Sequence, residues 1–219
     1  MNTVTFDEKN SYTDFGLILS EKTIGEAEPR FNYIDVPARD GHLDLTEAFG
    51  EVKYKSRPLT FYLQYIGPEK EWPAAMSALS NYLNGKKRKI YFEENYYWHG
   101  RCVVGAVASK KGIREVEIEC DCEPYKLKIQ STVVEVEASG AAVVKTIMND
   151  RKTVTPHIAV ISGTPTLKWT DKVTGGTFSV ALAGNFDNKI LDFKFYEGAN
   201  TFTVEGTGKV RLTYQEGSL

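Results

Sequence analysis

Glu115-Val-Glu-Ile-Glu-Cys-Asp-Cys122 decides the class of fold. Acidic and apolar residues alternate along it with a period of two, which sends successive side chains to opposite faces of a strand. Val116, Ile118, Cys120 and Cys122 are expected to face a core, and Glu115, Glu117, Glu119 and Asp121 to face water. Leu59 to Tyr65 repeats the pattern, with Leu59, Phe61, Leu63 and Tyr65 on one face and Thr60, Tyr62 and Gln64 on the other. Half-exposed strands of this kind belong to antiparallel sheets.

One helix interrupts the strands. Pro73 suits the first helical position, Gly85 suits the left-handed residue past the end, and Met76, Leu79, Tyr82 and Leu83 form one apolar stripe between them. The basic run Lys86 to Lys89 then follows the helix C-terminus, where cations interact favourably with the macrodipole; a phosphate-binding patch is the weaker reading.

Beyond Gln130 the pattern changes to short strands separated by turn signals. Strands are expected at His157 to Ser162, Thr166 to Thr170, Thr177 to Leu182, Ile190 to Tyr196, Thr201 to Glu205 and Lys209 to Tyr214. Glycine-containing separators such as Gly163-Thr-Pro165, Gly175-Gly176, Gly198-Ala-Asn200 and Gly206-Thr-Gly208 supply the positive φ values of tight turns. The expected architecture is mainly β, in two domains. Residues 1–135 form a β-sandwich-like domain with one helix, and residues 136–219 a small β-sandwich or jelly roll.

Bulk properties exclude several functional classes. Lys and Arg total 27 against 29 Asp and Glu, so the basic footprint of a nucleic-acid binder is missing. No stretch approaches the apolar length of a membrane span and the N-terminus does not read as a secretory signal, so synthesis in a cytoplasm is expected. Three cysteines make an improbable disulfide framework.

Candidate chemistry is sparse. Arg39-Asp-Gly-His-Leu-Asp44 gathers a histidine and two carboxylates, yet reads better as a solvated turn, because no second histidine stands at metal-ligand spacing. Cys120 and Cys122 share an inward face and read as buried thiols. His99 and His157 lack a nearby nucleophile motif. Glu93 and Glu94 point to opposite faces of a strand and so do not flank one glycosidic bond. Trp98 and Trp169 are candidates for stacking on a sugar ring, but for Trp169 the alternation with Leu167 favours core packing. No enzyme, metal or cofactor is expected.

Val36-Pro-Ala-Arg-Asp-Gly41, then Leu43-Asp-Leu45, then Tyr54-Lys-Ser-Arg57 stand in an order similar to the siphophage distal tail protein family. The family pattern has a Pro-x-Arg-Asp-Gly turn, a short apolar segment, and a Tyr-x-x-Arg opening a strand. Ala38 stands where that pattern often has glycine. Asn95-Tyr-Tyr-Trp-His-Gly-Arg101 and Tyr196-Glu-Gly-Ala-Asn-Thr-Phe-Thr-Val204 extend the resemblance over essentially the whole chain.

The resemblance implies a hexameric ring of copies of the chain at the tail tip of a virion. The N-terminal domain would form the collar or belt through which DNA passes, and a galectin-like C-terminal domain would face outward. It also implies partners in a tail tube protein, a tail-associated tip protein and receptor-binding or baseplate proteins, with no sequence-specific nucleic acid and no membrane. Pro37, Arg39, Asp40, Gly41, Tyr54 and Arg57 become the candidate interface or structural residues. The alternative reading is a carbohydrate-binding module using Trp169.

Overall fold

A computed structural model describes residues 2–48, 50–110 and 112–219, and the chain divides into two compact units, Met1–Lys126 and Leu127–Leu219. The division falls ahead of the expected residue 135 because the strand Thr132–Ser139 pairs along its whole length with Thr207–Tyr214, which ties it to the C-terminal unit. Among the described residues no helix is long and apolar enough to cross a membrane.

The N-terminal unit runs β1 (Thr5–Phe6), β2 (Lys9–Asn10), α1 (Ser11–Phe15), β3 (Leu17–Ile24), β4 (Tyr33–Asp35), β5 (His42–Asp44), β6 (Arg57–Tyr65), α2 (Trp72–Leu83), β7 (Lys86–Glu93), β8 (Tyr96–Lys110) and β9 (Ile113–Cys122). Seven of these strands form an antiparallel sheet in the order β2-β1-β7-β8-β9-β6-β3. Alternation fills its inward face as expected: Leu59, Phe61, Leu63, Val116, Ile118, Cys120 and Cys122 are all buried.

One sheet supplies both walls of this core. Phe6 on β1 and Phe61 on β6 meet edge to face at 6.1 Å, although β7, β8 and β9 lie between them in the sheet. The sheet must therefore curl until its ends face each other. Register shifts between Leu19 and Glu21, Ile90 and Glu93, and Val104 and Val107 supply the bends, since an extra residue in one strand sharpens local twist. The Leu19 N–H donates to the Asn2 carbonyl at 2.9 Å, joining the strand at one end of the sheet to the chain entering the other.

Helix α2 covers the core with Leu79 and Leu83, and Met76 and Tyr82 pack beside them. The basic run lies on β7, folded back beside the helix end: Lys86 Nζ donates to the Asn81 carbonyl and Arg88 to the Tyr82 carbonyl, each at 2.7 Å. These are carbonyls of the last helical turn, which lack a partner within the helix. Helix α1 escapes a reading by periodicity because it has five residues. Its ends are nevertheless marked by Asn10, whose side chain accepts from the Tyr12 N–H, and by Gly16 at φ 68°.

Strand β10 (Lys126–Lys128) spans the division. The C-terminal unit then runs β11 (Thr132–Ser139), β12 (Val143–Asn149), β13 (His157–Gly163), β14 (Thr166–Thr170), β15 (Thr177–Ala181), β16 (Asp187–Lys189), β17 (Gly198–Glu205) and β18 (Thr207–Tyr214). They form two four-stranded sheets, β11-β18-β13-β16 and β12-β17-β14-β15, around one core. This is a β-sandwich.

The expected strand at Ile190 to Tyr196 is instead a loop carrying Phe193 and Phe195, each 1% exposed, into the core. The two rings alternate as they would on a strand, which explains the misreading. A buried loop needs partners for its backbone; Phe195 exchanges its N–H and carbonyl bonds with Val154, and two buried asparagines supply further ones. Asn149 Nδ2 donates to the carbonyls of Lys152 and Phe195. Asn200 accepts from the Tyr196 N–H and donates to the carbonyls of Tyr196 and Gly198. The Gly198-Ala-Asn200 turn signal therefore opens β17 rather than preceding it. Asn200→Ala is expected to cost about 1–3 kcal/mol by leaving these groups unpaired, read as a lower guanidinium midpoint with an unchanged far-UV circular dichroism spectrum.

Candidate functional site

Between β3 and β6 the chain leaves the sheet and returns as a two-legged arm. Backbone hydrogen bonds join the legs as rungs: the Gly25 N–H to the Pro58 carbonyl, Lys55 to Glu28, Arg30 to Lys53 and Leu45 to Asn32, all 2.7–2.8 Å. The arm ends in the hairpin of β4 and β5, with Tyr33 opposite Asp44 and Asp35 opposite His42. This hairpin is a separate two-stranded sheet. Every residue from 30 to 42 is exposed.

An isolated two-stranded hairpin is marginal in water, and local contacts hold this one in shape. Phe31 stacks on Tyr33 at 5.6 Å, Tyr33 on His42 at 5.7 Å, and His42 Nδ1 lies 2.5 Å from the Asp35 carboxylate. The Thr46 hydroxyl, and then the Thr46 N–H that donates to Asp44, hold the Asp44 carboxyl below the usual range. His42 and Asp44 are thus occupied in shaping the hairpin.

The structure separates the six candidate residues into two groups. Pro37, Arg39, Asp40 and Gly41 form the tip, where the Arg39 N–H closes a turn on the Val36 carbonyl at 3.2 Å. Ala38 has φ 65°, the left-handed region that the third residue of a type II turn requires and glycine favours. That geometry is the physical sense of glycine at this place in the family pattern.

Tyr54 and Arg57 stand at the base. Tyr54 bridges Pro29 and meets the Tyr125 ring edge to face at 5.9 Å. Arg57 is 9% exposed, donates from Nε to the Gly25 carbonyl at 2.5 Å, and lies 4.8 Å from the centre of the Trp98 ring. It fastens one leg of the arm to the sheet. Its Nη1 has no hydrogen-bond partner.

The reading of single motifs missed the residues that give the arm its character. Phe31, Tyr33, Ile34 and Val36 are 61%, 52%, 45% and 38% exposed. Their apolar run was visible, but an apolar side chain in sequence reads as core unless its partner strand is known to be solvated.

Elsewhere the candidate groups have structural employment. Trp98 is buried, and Trp169 is 6% exposed, stacked on Phe178 at 5.0 Å with Nε1 donating to the Asp192 carbonyl. Trp169 therefore presents no free ring face to a sugar. His99 contacts Glu123 at 3.0 Å, and Glu93 pairs with Lys126 at 2.9 Å. No group of three His, Cys, Asp or Glu among the described residues is placed to hold a metal ion.

No protein-family model matches the chain, and no curated protein matches it in sequence. The crystal structure of the Dit protein (gp 19.1) of phage SPP1 superposes on it with a TM-score of 0.65, covering 97% of this chain and 98% of that one at 14% identity. The chain has the fold of a phage distal tail protein. SPP1 Dit is described as a paradigm of the hub adsorption apparatus in phages that infect Gram-positive bacteria. In the present Dit fold, both the curled N-terminal sheet and the C-terminal sandwich fall within the matched length.

Two predictions follow from these local contacts. Arg57→Lys removes the Nε donor and the flat ring contact and is expected to destabilise by about 1–3 kcal/mol, with faster amide exchange at residues 25–32. The second concerns Asp171 in the C-terminal unit. Burial pushes its carboxyl up, but the Thr174 and Val173 N–H groups and the Thr174 and Tyr196 hydroxyls outweigh it and hold it below 3.8. A carboxyl depressed on folding stabilises above its unfolded value and loses that contribution as pH falls through the folded one. Unfolding midpoints should therefore drop as the pH is lowered from about 5 to 2, and this acid limb should flatten in Asp171→Asn.

Proposed function

We propose that this chain is a structural subunit of a phage tail tip whose copies join side by side into a ring, six to the ring as the resemblance implies. The observation that carries the proposal is the exposed arm. Phe31 lies largely in water and Ile34 and Val36 partly so, whereas each such side chain gains roughly 1.5–3 kcal/mol when fully buried rather than fully exposed. A hairpin that presents apolar side chains away from its own core has the form of an interface awaiting a partner.

A neighbouring copy is the natural partner. A contact between an arm on one subunit and a different surface on the next is heterologous, and such contacts close into rings when the rotation allows. The fold shared with SPP1 Dit supports a tail-tip place for that ring. In this reading the ring joins a tail tube protein and a tail-associated tip protein to receptor-binding or baseplate proteins, and no bond-making chemistry takes place in it.

Sedimentation and negative-stain images of the purified chain are expected to show an annulus many times the 24.6 kDa of one copy. The substitution Ile34→Glu should release monomers with an unchanged circular dichroism spectrum, because that side chain is exposed and takes no part in the ring stack that shapes the hairpin. A wild-type chain that stays strictly monomeric at high concentration overturns the proposal.

A further inference from the structure

Cys102 on β8 and Cys120 on β9 are direct cross-strand partners, with their sulfur atoms 3.3 Å apart. Both are buried, at 0% and 2% exposure. Their position in the ladder is defined. The Glu123 N–H donates to the His99 carbonyl, which makes that pair a hydrogen-bonded one. Counting inward, Arg101 and Asp121 form the next hydrogen-bonded pair, and Cys102 and Cys120 fall on a non-hydrogen-bonded site. The Gly85 N–H agrees, since it reaches the Cys102 carbonyl at 2.8 Å from the β7 side, away from β9.

At such sites the Cα atoms lie about 4.5 Å apart, at the short end of the roughly 4.4–6.8 Å that a disulfide spans. Rotation of the two side chains is then enough to bring the sulfurs together. We propose that Cys102 and Cys120 are a latent cross-strand disulfide, open while the chain is in a reducing compartment and closed by a peroxide-class oxidant outside it.

The reaction balances in two steps. One thiol is oxidised by hydrogen peroxide to a sulfenic acid as the O–O bond breaks, releasing water. The second thiol attacks that sulfur, the S–S bond forms, and the hydroxyl leaves with the thiol proton as a second water. Two electrons pass from the sulfurs to the peroxide.

The surroundings make the closure slow. The hydrogen bond to Cys102, followed by burial, pushes the Cys120 thiol far up, and burial pushes Cys122 up to about 12. Little thiolate is present to react. The bond would join two neighbouring strands in the middle of the sheet, within one chain and without any partner. Its short span makes it strained, hence readily reduced.

The test exposes the reduced full-length chain to hydrogen peroxide. Thiols titrated in denaturant should fall from three to one. The Cys102 and Cys120 peptides should be recovered joined and lighter by about 2 Da, and dithiothreitol should restore all three thiols. The oxidised chain should also unfold at a higher guanidinium concentration. Cys122→Ser should still lose two thiols, whereas Cys102→Ser should form no such bond. Should Cys102→Ser fail to fold, the peptide map of the wild-type and Cys122→Ser chains decides. Persistence of three thiols, oxygen addition without joining, or a bond between Cys120 and Cys122 overturns the proposal.

Discussion

A sheet with one apolar face must find a second apolar surface, and the N-terminal unit finds it by rolling a single sheet onto itself. The Phe6–Phe61 contact is the sign of this closure, since it joins strands that stand four places apart in the sheet. Everything else in the unit is arranged around it. The three register shifts bend the strands, α2 lays Leu79 and Leu83 over the core, and the Leu19 to Asn2 hydrogen bond ties the ends. Burying so many large apolar side chains at roughly 1.5–3 kcal/mol each is what offsets the entropy of ordering long strands.

The arm is the counterpart of that closure. Residues 30–42 stand apart from the curled sheet and are exposed along their whole length. What holds the hairpin is local: stacked rings along Phe31, Tyr33 and His42, a positive φ at Ala38, and Arg57 fastening the base through the Gly25 carbonyl. Shape maintained without burial leaves the apolar side chains available to a neighbour. In the proposed interface the candidate residues of the sequence motifs stand at the tip and base of the arm, with Phe31 and Tyr33 stacked on one face of the hairpin and Ile34 on the other.

The C-terminal sandwich solves a different problem. Its aromatic core draws Phe193 and Phe195 from a loop rather than from a strand. The backbone of that loop is paired by a single bridge from Phe195 to Val154, with Asn149 and Asn200 adding side-chain bonds on either side of it. The Asn200 side chain uses both its donor and its acceptor on Tyr196, and so replaces a missing strand partner at the bend.

Local chemistry was legible in the sequence wherever a residue's neighbours along the chain settle its state. The inward set of Glu115 to Cys122, the apolar stripe of α2, the left-handed Gly85 and the cations meeting the α2 carbonyls are all of this kind, because strand period, helix period and helix-end polarity act over a few residues. What the tertiary structure decided depends on which distant segments meet. Thr132–Ser139 joined the C-terminal unit because its ladder partner is Thr207–Tyr214, and Ile190 to Tyr196 became a loop because its pairing stops at one bridge, Phe195 to Val154, beyond which Asn200 takes the hydrogen bonds of Tyr196. Phe31 to Val36 stayed exposed because their hairpin is a two-stranded sheet of its own, apart from the main sheet. Alternation along a strand says which side chains share a face, and only the pairing of strands says what that face meets.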